Sequence, residues 1–203
     1  MSEFPVALPS TDLPLRALIV GAGGGAGQAF ASSLQRLGVE VIAADQDEVG
    51  LARLRHEYQV ATVPVDALAD DEIATLFDRI EREFGAIDLL INVAGRGYVR
   101  TLTMMRVSRA FNRHPRSRTA YVINVAAPAG PDDEMVTYAG SEVAFDRLSQ
   151  GLSDTIASPL LRILTLHRLE SPGAFTDISE RVCAELRGSG PPGDRGPTEQ
   201  AID

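Results

Sequence analysis

A glycine-rich stretch between an apolar run and a helical pattern is the first part of the chain that could do chemistry. Five of the seven residues from 21 to 27 are glycine, and the apolar residues 17–20 precede them. Because glycine has no Cβ, the backbone can turn sharply there and approach a ligand closely. Residues 28–37 carry apolar side chains at helical spacing, so a helix begins after the turn. The free N–H groups and positive dipole at that end of a helix favour an anion such as a pyrophosphate.

An acidic residue closes the second apolar run, which spans residues 39–45. This residue, Asp45, follows Gly21 by 24 positions (45 − 21). A carboxylate at the end of the second strand can accept hydrogen bonds from an adenosine ribose. Glycines alone would be equally typical of a flexible turn. The order of strand, glycine turn, helix, strand and acid predicts a dinucleotide site.

Apolar runs and helical patterns alternate along the chain, which predicts βαβ units and an α/β fold with a single parallel sheet of about six strands. We expect strands at 17–20, 39–45, 59–65, 87–93, 119–125 and 160–169. We expect helices at 28–37, 48–58, 70–84, 102–112, 135–156 and 176–187. Residues 1–15 are predicted to form a loose arm, 16–187 the folded domain, and 188–203, with glycine, proline and charge, a disordered tail.

Composition is typical of a globular protein, with 203 residues of which 44% are hydrophobic. No apolar run is long enough to span a bilayer. Residues 1–16 contain acids and three prolines and do not have the pattern of a secretory signal. The single cysteine, Cys183, excludes an internal disulfide and gives no metal cluster. We therefore expect a cytoplasmic protein with no metal and no membrane contact.

Charge is unevenly distributed along the chain. The net charge of −9 argues against general nucleic-acid binding. All 19 basic residues are arginine, so no reaction step can use a lysine amine of this chain. The segment Arg96–Arg118 carries seven arginines and no acid. It could dock an acidic protein partner or the acidic part of a second copy, although a solvated helix face is the simpler interpretation.

Five motifs together resemble the short-chain dehydrogenase/reductase family. They are Gly21-x-x-x-Gly25-x-Gly27 after the first strand, Asp45 after the second, Asp66 after the third, Asn92-Val93-Ala94-Gly95 after the fourth, and Tyr138 in the long helix. The resemblance covers about residues 16–173. It implies a Rossmann-like, doubly wound parallel sheet flanked by helices, and hydride transfer at a carbonyl with a nicotinamide nucleotide.

The resemblance also implies which residues bind the cofactor. Gly21, Gly25 and Gly27 would hold the pyrophosphate. Asp45 would bind the adenosine ribose and repel a 2′-phosphate, which favours NAD(H) over NADP(H). Asp66 would lie beside the adenine, or it could instead cap the following helix. Asn92, Ala94 and Gly95 would line the second ribose. The full set is Gly21, Gly23, Gly25, Ala26, Gly27, Asp45, Gln46, Asp66, Ala67, Asn92, Ala94 and Gly95.

The catalytic positions depart from the family pattern, which uses a serine, a tyrosine and a lysine four residues after the tyrosine. Here Tyr138 is present, but Glu142 occupies the lysine position and Ala127 the serine position. A free tyrosine has a pKa of about 10, and a nearby carboxylate raises it, whereas an ammonium lowers it. Losing general acid–base catalysis costs roughly 10²–10⁴ in rate. We therefore expect impaired or absent dehydrogenase activity.

Three functions remain open at this point. We favour an NAD(H)-binding protein with a regulatory, sensor or scaffold role. The alternative is an active oxidoreductase on a small carbonyl or alcohol, in which Tyr138 works with a non-standard helper, namely Glu142, Asp132, Asp133 or His167. The third is an interaction protein that does not bind the nucleotide. Related proteins pair through the helices that correspond to 102–112 and 135–156, so a homodimer built on these two helices is expected.

Overall fold

The computed structural model describes residues 14–93, 97–114, 116, 118–126, 135–155, 160–167 and 172–188, and within them six strands alternate with six helices. The strands are β1 (Arg16–Val20), β2 (Glu40–Asp45), β3 (Ala61–Pro64), β4 (Leu89–Asn92), β5 (Ala120–Ala126) and β6 (Leu161–His167). The helices are α1 (Gly25–Arg36), α2 (Glu48–Tyr58), α3 (Asp70–Glu83), α4 (Gly97–Arg113), α5 (Met135–Thr155) and α6 (Pro172–Leu186).

The six strands form one parallel sheet in the order β3-β2-β1-β4-β5-β6. The chain winds outward from β1 to β3, and then returns to place β4 on the other side of β1. Ligands of open parallel sheets bind at such a switch point, beyond the carboxyl ends of the strands. The predicted Rossmann-like α/β fold is therefore confirmed, and its switch point lies between β1 and β4.

Two hydrophobic clusters cover the two faces of the sheet. Alternate residues of β1 belong to different clusters, since Ile19 packs with α1, α2 and α6, whereas Leu18 packs with α3, α4 and α5. Strands buried on both faces have continuous apolar sequences, which is why the strands could be recognised as apolar runs. Cys183 lies buried in α6, where burial raises the pKa of its thiol.

Three helices begin earlier than the sequence pattern predicts. Helix α1 begins at Gly25 rather than at residue 28, because the glycines of its first turn do not register in an apolar pattern. Helix α4 begins at Gly97 rather than at residue 102. Its early part includes Thr101, a buried polar residue that an apolar pattern does not count. Helix α6 begins at Pro172 rather than at residue 176. Proline is favoured in the first turn of a helix, where its missing N–H costs no hydrogen bond.

Neither a membrane span nor a metal cluster is found within the described residues. Their helices are too short or too polar to cross a bilayer. The same residues contain no group of three or more His, Cys, Asp or Glu side chains close enough to hold a metal ion.

Candidate functional site

The turn between β1 and α1 is tied to the carboxyl end of β2. Gly21 has a φ of 88°, a conformation that favours glycine. The N–H groups of Gly21 and Ala22 both donate to the carbonyl oxygen of Ala44, at 2.9 and 3.2 Å. The glycine-rich loop, residues 21–24, is therefore fixed at the switch point of the sheet.

Helix α1 packs directly onto this loop at Gly27. A Cβ on Gly27 would lie 2.6 Å from the Cα of Ala22 and closer still to the carbonyl oxygen of Gly21, so only glycine fits. At Gly25, apart from the chain neighbours and the backbone of the same helix turn, no atom of the described residues lies within 4 Å of such a Cβ. The N-cap residue Gly24 has no side chain, and no acid lies in the first turn of α1. No side chain of the described residues caps the first N–H groups of α1, which leaves them available to an anion.

The carboxylate of Asp45 is held beside the loop by two backbone N–H groups. Its Oδ2 accepts a hydrogen bond from Gly23 at 2.8 Å, and its Oδ1 accepts one from Asp47 at 3.0 Å. A carboxylate has about four acceptor positions, so Asp45 retains capacity for the hydroxyls of a ribose. Its neighbour Gln46 is exposed to solvent.

Three residues of this site were missed by the sequence analysis. Asp47 caps α2, where its Oδ1 accepts hydrogen bonds from the N–H groups of Val49 and Gly50, both at 3.1 Å. A Cβ on Gly50 would lie 2.6 Å from the Cα of Gly23. The Nε2 of Gln28 donates to the carbonyl oxygen of Gly23 at 2.6 Å. The spacing Asp45-x-Asp47-x-x-Gly50 could have indicated the capped helix, but not its contact with the loop.

Asn92, at the end of β4, uses its side chain inside the protein. Its Nδ2 donates to Asn124 Oδ1 at 2.9 Å and to Ser108 Oγ at 3.1 Å. The residue is only 3% exposed. Asn92 therefore joins β4, β5 and α4 beneath the carboxyl edge of the sheet. The predicted site residues Ala94 and Gly95 lie outside the described residues.

Asp66 follows β3, as predicted, but it is not a helix cap. The N-cap of α3 is Ala69, and the Oδ1 of Asp66 accepts instead a hydrogen bond from the N–H of Leu68 at 2.9 Å. The N–H of Asp66 donates to Glu72 Oε2 at 2.7 Å. The capping alternative is therefore wrong. Ala67 is partly buried against the core.

The catalytic candidates divide between α5 and a loop outside the described residues. Tyr138 and Glu142 are four positions apart in α5, of which the structure describes the backbone here and not the side chains. This spacing puts both residues on one face of the helix. Ala127, Asp132 and Asp133 lie outside the described residues. His167 is the last residue of β6, and again only its backbone is described.

Several arginines of the segment Arg96–Arg118 bind other groups of the same chain. Arg106 pairs with Asp70, and Arg118 pairs with Asp88. Arg116 donates to the carbonyl oxygen of Phe111 at 2.6 Å. Arg109 and Arg113 are exposed. The part of this segment that is open to a partner is therefore smaller than its charge suggests.

Comparison with known proteins decides the family. Residues 16–167 match the sequence model of the family described as short chain dehydrogenase, which is well over half of the chain. The chain belongs to the short-chain dehydrogenase/reductase family. An uncharacterized oxidoreductase of Staphylococcus saprophyticus is 26% identical, over 77% of this chain and 76% of that protein. One of Staphylococcus aureus is 23% identical over the same shares.

Solved short-chain dehydrogenase structures have the same fold. A metagenomic short-chain oxidoreductase in complex with NADP superposes with a TM-score of 0.71 at 19% identity, over 87% of this chain and 93% of that one. A 3-ketoacyl-(acyl-carrier-protein) reductase from Brucella melitensis complexed with NADH gives 0.67 at 20% identity, over 85% and 90%. The short-chain dehydrogenase family uses NAD(P)(H), and at these identities the likeness shows the fold alone.

Proposed function

We propose that the chain binds NAD(H) at the carboxyl edge of β1 and β2 and prefers it to NADP(H). The observation that carries this proposal is the hydrogen bond from the N–H of Gly23 to Asp45 Oδ2, at 2.8 Å. It holds a carboxylate at the end of β2, where an adenosine ribose would meet it. The ribose hydroxyls of NAD(H) can donate to this carboxylate, whereas a 2′-phosphate would be repelled by it.

The N-terminus of α2 supports the same preference. A helix N-terminus attracts phosphate through its free N–H groups. Here Asp47 accepts hydrogen bonds from two of them, those of Val49 and Gly50. The cap removes donors that a 2′-phosphate could use, and it adds a second negative charge beside Asp45. Since solved relatives are described with NADP and with NADH, the preference rests on these residues and not on the fold.

Calorimetry with all four nucleotides tests the preference. For the wild type, NAD⁺ and NADH should bind at least about tenfold more tightly than NADP⁺ and NADPH, as expected for a like-charge contact and lost hydrogen bonds. Asp45→Ala should weaken NAD(H) binding and reduce the difference in affinity between NAD(H) and NADP(H). Asp78→Ala removes an exposed acid of α3 and is the matched control. Equal affinity for NADP(H), or no nucleotide binding, would contradict the proposal.

We further infer that dehydrogenase activity is impaired or absent, which suits a regulatory, sensor or scaffold role. Glu142 occupies the family's lysine position, one helical turn from Tyr138, and Ala127 its serine position. A carboxylate there would favour the protonated phenol, and the alanine offers no hydroxyl to a substrate oxygen. The double change Ala127→Ser with Glu142→Lys should restore carbonyl reduction with NADH. If it does not, a loss of the substrate pocket, rather than of the chemistry, would explain the inactivity.

An active oxidoreductase on a small carbonyl or alcohol is the second candidate. It is favoured by the retention of Tyr138 in the long helix α5, with a helper among Glu142, Asp132, Asp133 and His167. Turnover of a carbonyl panel by the wild type, abolished by Tyr138→Phe, would establish this candidate. The same result would contradict the proposal that dehydrogenase activity is impaired, but it would be consistent with the proposal that the chain binds NAD(H).

A second copy of the chain is the proposed partner of α4 and α5. These two helices pack against each other, and each exposes a valine, Val99 at 43% and Val143 at 62%. Arg109 and Arg113 are exposed on α4 and would meet an acidic surface, either of the second copy or of another protein. Light scattering at micromolar concentration should give a dimer, and Val143→Asp should weaken it. A monomeric wild type would remove this proposal.

A further inference from the structure

The turn that follows β3, residues 66–69, lies beside the acid that is proposed to bind the ribose. Pro64 of β3 pairs with Asp45 of β2 in the sheet, and the N–H of Val65 donates to the carbonyl oxygen of Asp45 at 3.0 Å. A dinucleotide bound as proposed above would have its pyrophosphate at the start of α1 and its adenosine ribose on Asp45. Its adenine would then lie farther from the switch point, toward the end of β3.

Asp66, the first residue of this turn, keeps one carboxylate oxygen free. Its Oδ1 accepts a hydrogen bond from the N–H of Leu68 at 2.9 Å, and its carbonyl oxygen accepts one from the N–H of Ala69 at 3.0 Å. The N–H of Asp66 donates to Glu72 Oε2 at 2.7 Å. No hydrogen bond within the described residues reaches Oδ2. An amino group on an adenine could donate to this oxygen, so the conformation of the turn decides where the acceptor stands.

An arginine of α4 holds this turn from a distant part of the chain. The hydrogen bonds of Asp66 join residues that are at most six positions apart. Arg106, in contrast, lies 38 positions from Leu68, and its Nη1 donates to the Leu68 carbonyl oxygen. Its Nε pairs with Oδ1 of Asp70, the first residue of α3, at 3.4 Å. The guanidinium therefore binds the turn and the start of α3 at the same time.

The charges around the turn make this arginine more than an ordinary surface cation. Four acids lie within residues 66–72, namely Asp66, Asp70, Asp71 and Glu72. Their mutual repulsion opposes a fixed conformation of the turn. A simple exposed ion pair would contribute little, but the planar guanidinium of Arg106 has two acceptors in fixed directions, and its side chain is only 36% exposed.

We propose that Arg106 is a positioning residue for the adenine end of the nucleotide site. By holding Leu68 and Asp70, it keeps the turn in the conformation that presents Oδ2 of Asp66 to the adenine amino group. Arg106 acts through Asp66, and its own contacts are used within the chain. This inference rests on the proposed NAD(H) binding and adds to it a residue 38 positions away from the turn.

Calorimetry with two nucleotides tests the proposal. They are NADH and reduced nicotinamide hypoxanthine dinucleotide, which has a carbonyl oxygen in place of the adenine amino group. The wild type should bind NADH at least about tenfold more tightly, because the second nucleotide replaces a hydrogen bond to a carboxylate with a contact between two acceptors. Arg106→Met keeps an apolar side chain but removes every donor, and it should reduce this affinity ratio to less than about threefold.

The affinity ratio distinguishes positioning from a general structural role. A variant that is merely less stable would bind both nucleotides more weakly by the same factor, and its ratio would not change. Arg82→Met is the matched control, because it removes an arginine that is 74% exposed near the other end of α3. Its ratio should equal that of the wild type. If Arg106→Met does not fold by circular dichroism, Arg106→Gln, which is shorter and uncharged, takes its place with the same expectation.

A double-mutant cycle tests whether Arg106 acts through Asp66. Asp66→Asn should also lower the ratio, since it replaces the carboxylate. Adding Arg106→Met to Asp66→Asn should lower the ratio no further, because both changes remove the same contact. Independent, additive effects on the ratio would contradict the proposal.

The outcomes separate this inference from the proposed NAD(H) binding. A wild-type ratio in Arg106→Met would overturn the role of Arg106 and leave NAD(H) binding intact. A wild type that binds the two nucleotides equally would do the same, since Asp66 would then not meet the adenine. A wild type that binds neither nucleotide would overturn both proposals.

Discussion

Gly50 in the first turn of α2 lies directly against Gly23 of the glycine-rich loop. A Cβ on Gly50 would stand 2.6 Å from the Cα of Gly23 and 2.8 Å from its carbonyl oxygen. The same Cβ would be 2.7 Å from Asp47 Oδ2. The start of α2, the loop and the acids after β2 therefore form one packed unit, and the positions of Asp45 and Asp47 depend on the absence of a side chain at residue 50.

We predict that Gly50→Ala lowers both stability and nucleotide affinity. The added methyl group must displace the backbone of Gly23, and overpacking of this kind costs about 1–3 kcal/mol. Gly151→Ala in α5 is the control, because a Cβ there meets no atom of the described residues within 4 Å beyond its chain neighbours and its own helix backbone. That exposed helical site should gain up to about 1 kcal/mol from better helix propensity. Urea denaturation and calorimetry with NADH measure the two effects, and a Gly50→Ala protein as stable as the control would contradict this packing.

The fold was predictable because each element carries a local signal. Strands buried on both faces, such as β1, give apolar runs, and α3 gives an amphipathic pattern with Ile73 and Phe77 buried on one side. Their alternation then leaves few topologies. Helix α4 was predicted less well at its beginning, since Thr101 is polar and yet buried.

The details of the site were less predictable, because they depend on residues far apart in sequence. Gly23 and Gly50 touch across 27 positions (50 − 23), and nothing local indicates which glycine of a loop will meet a helix. The inward direction of Asn92 depends on Asn124 in the neighbouring strand. The arginines of α4 and of the residues after it predict a basic surface. Arg118, however, pairs with Asp88, which lies 30 positions earlier in the sequence.

The pair between Arg118 and Asp88 should contribute measurably to stability. Asp88 is 1% exposed and also accepts a hydrogen bond from the N–H of Arg16 at 2.9 Å. Removing one partner of a buried pair costs about 3–5 kcal/mol. Arg118 is 38% exposed, and the bond from Arg16 remains, so we expect about 2 kcal/mol for Arg118→Ala. Arg109→Ala, at an exposed site of α4, should cost less than about 0.5 kcal/mol. Similar urea midpoints for the two variants would argue against this contribution.

Stability should fall at alkaline pH because of Tyr121. Burial, and then the hydrogen bond to Glu185 of α6, raise the pKa of this phenol above its ordinary value of 10.0. Since the folded protein holds the proton more tightly than the unfolded chain, the contribution is fully present below about pH 10. It is lost as the pH rises further and the unfolded chain ionises. The chain has no lysine, so no lysine amine titrates in this range.

Urea midpoints measured between about pH 8 and 11 test this dependence. Tyr121→Phe should flatten the decline above about pH 10. Cys183→Ala removes a second group whose pKa is raised by burial, the thiol, whose ordinary pKa is 9.0. Ionisation of the thiol in the unfolded chain also lowers the stability as the pH rises, and it begins at a lower pH than that of the phenol. If the urea midpoint still declines with pH in the double variant Tyr121→Phe/Cys183→Ala, the decline would have to arise from other titrating groups.

Gly25→Ala and Gly27→Ala should separate nucleotide binding from folding. A methyl group on Gly27 would lie 2.6 Å from the Cα of Ala22, so this variant should lose stability and NADH affinity together. A methyl group on Gly25 meets no atom of the described residues within 4 Å beyond its chain neighbours and its own helix backbone, and alanine is a better helix former by about 1 kcal/mol. Its urea midpoint should therefore stay the same or rise.

Gly25 is nevertheless the first residue of α1, where the pyrophosphate is proposed to lie against free N–H groups. The methyl group would then hold the phosphate away from those groups, and NADH affinity should fall at least about tenfold. Unchanged affinity in Gly25→Ala would mean that the pyrophosphate does not bind at this helix N-terminus.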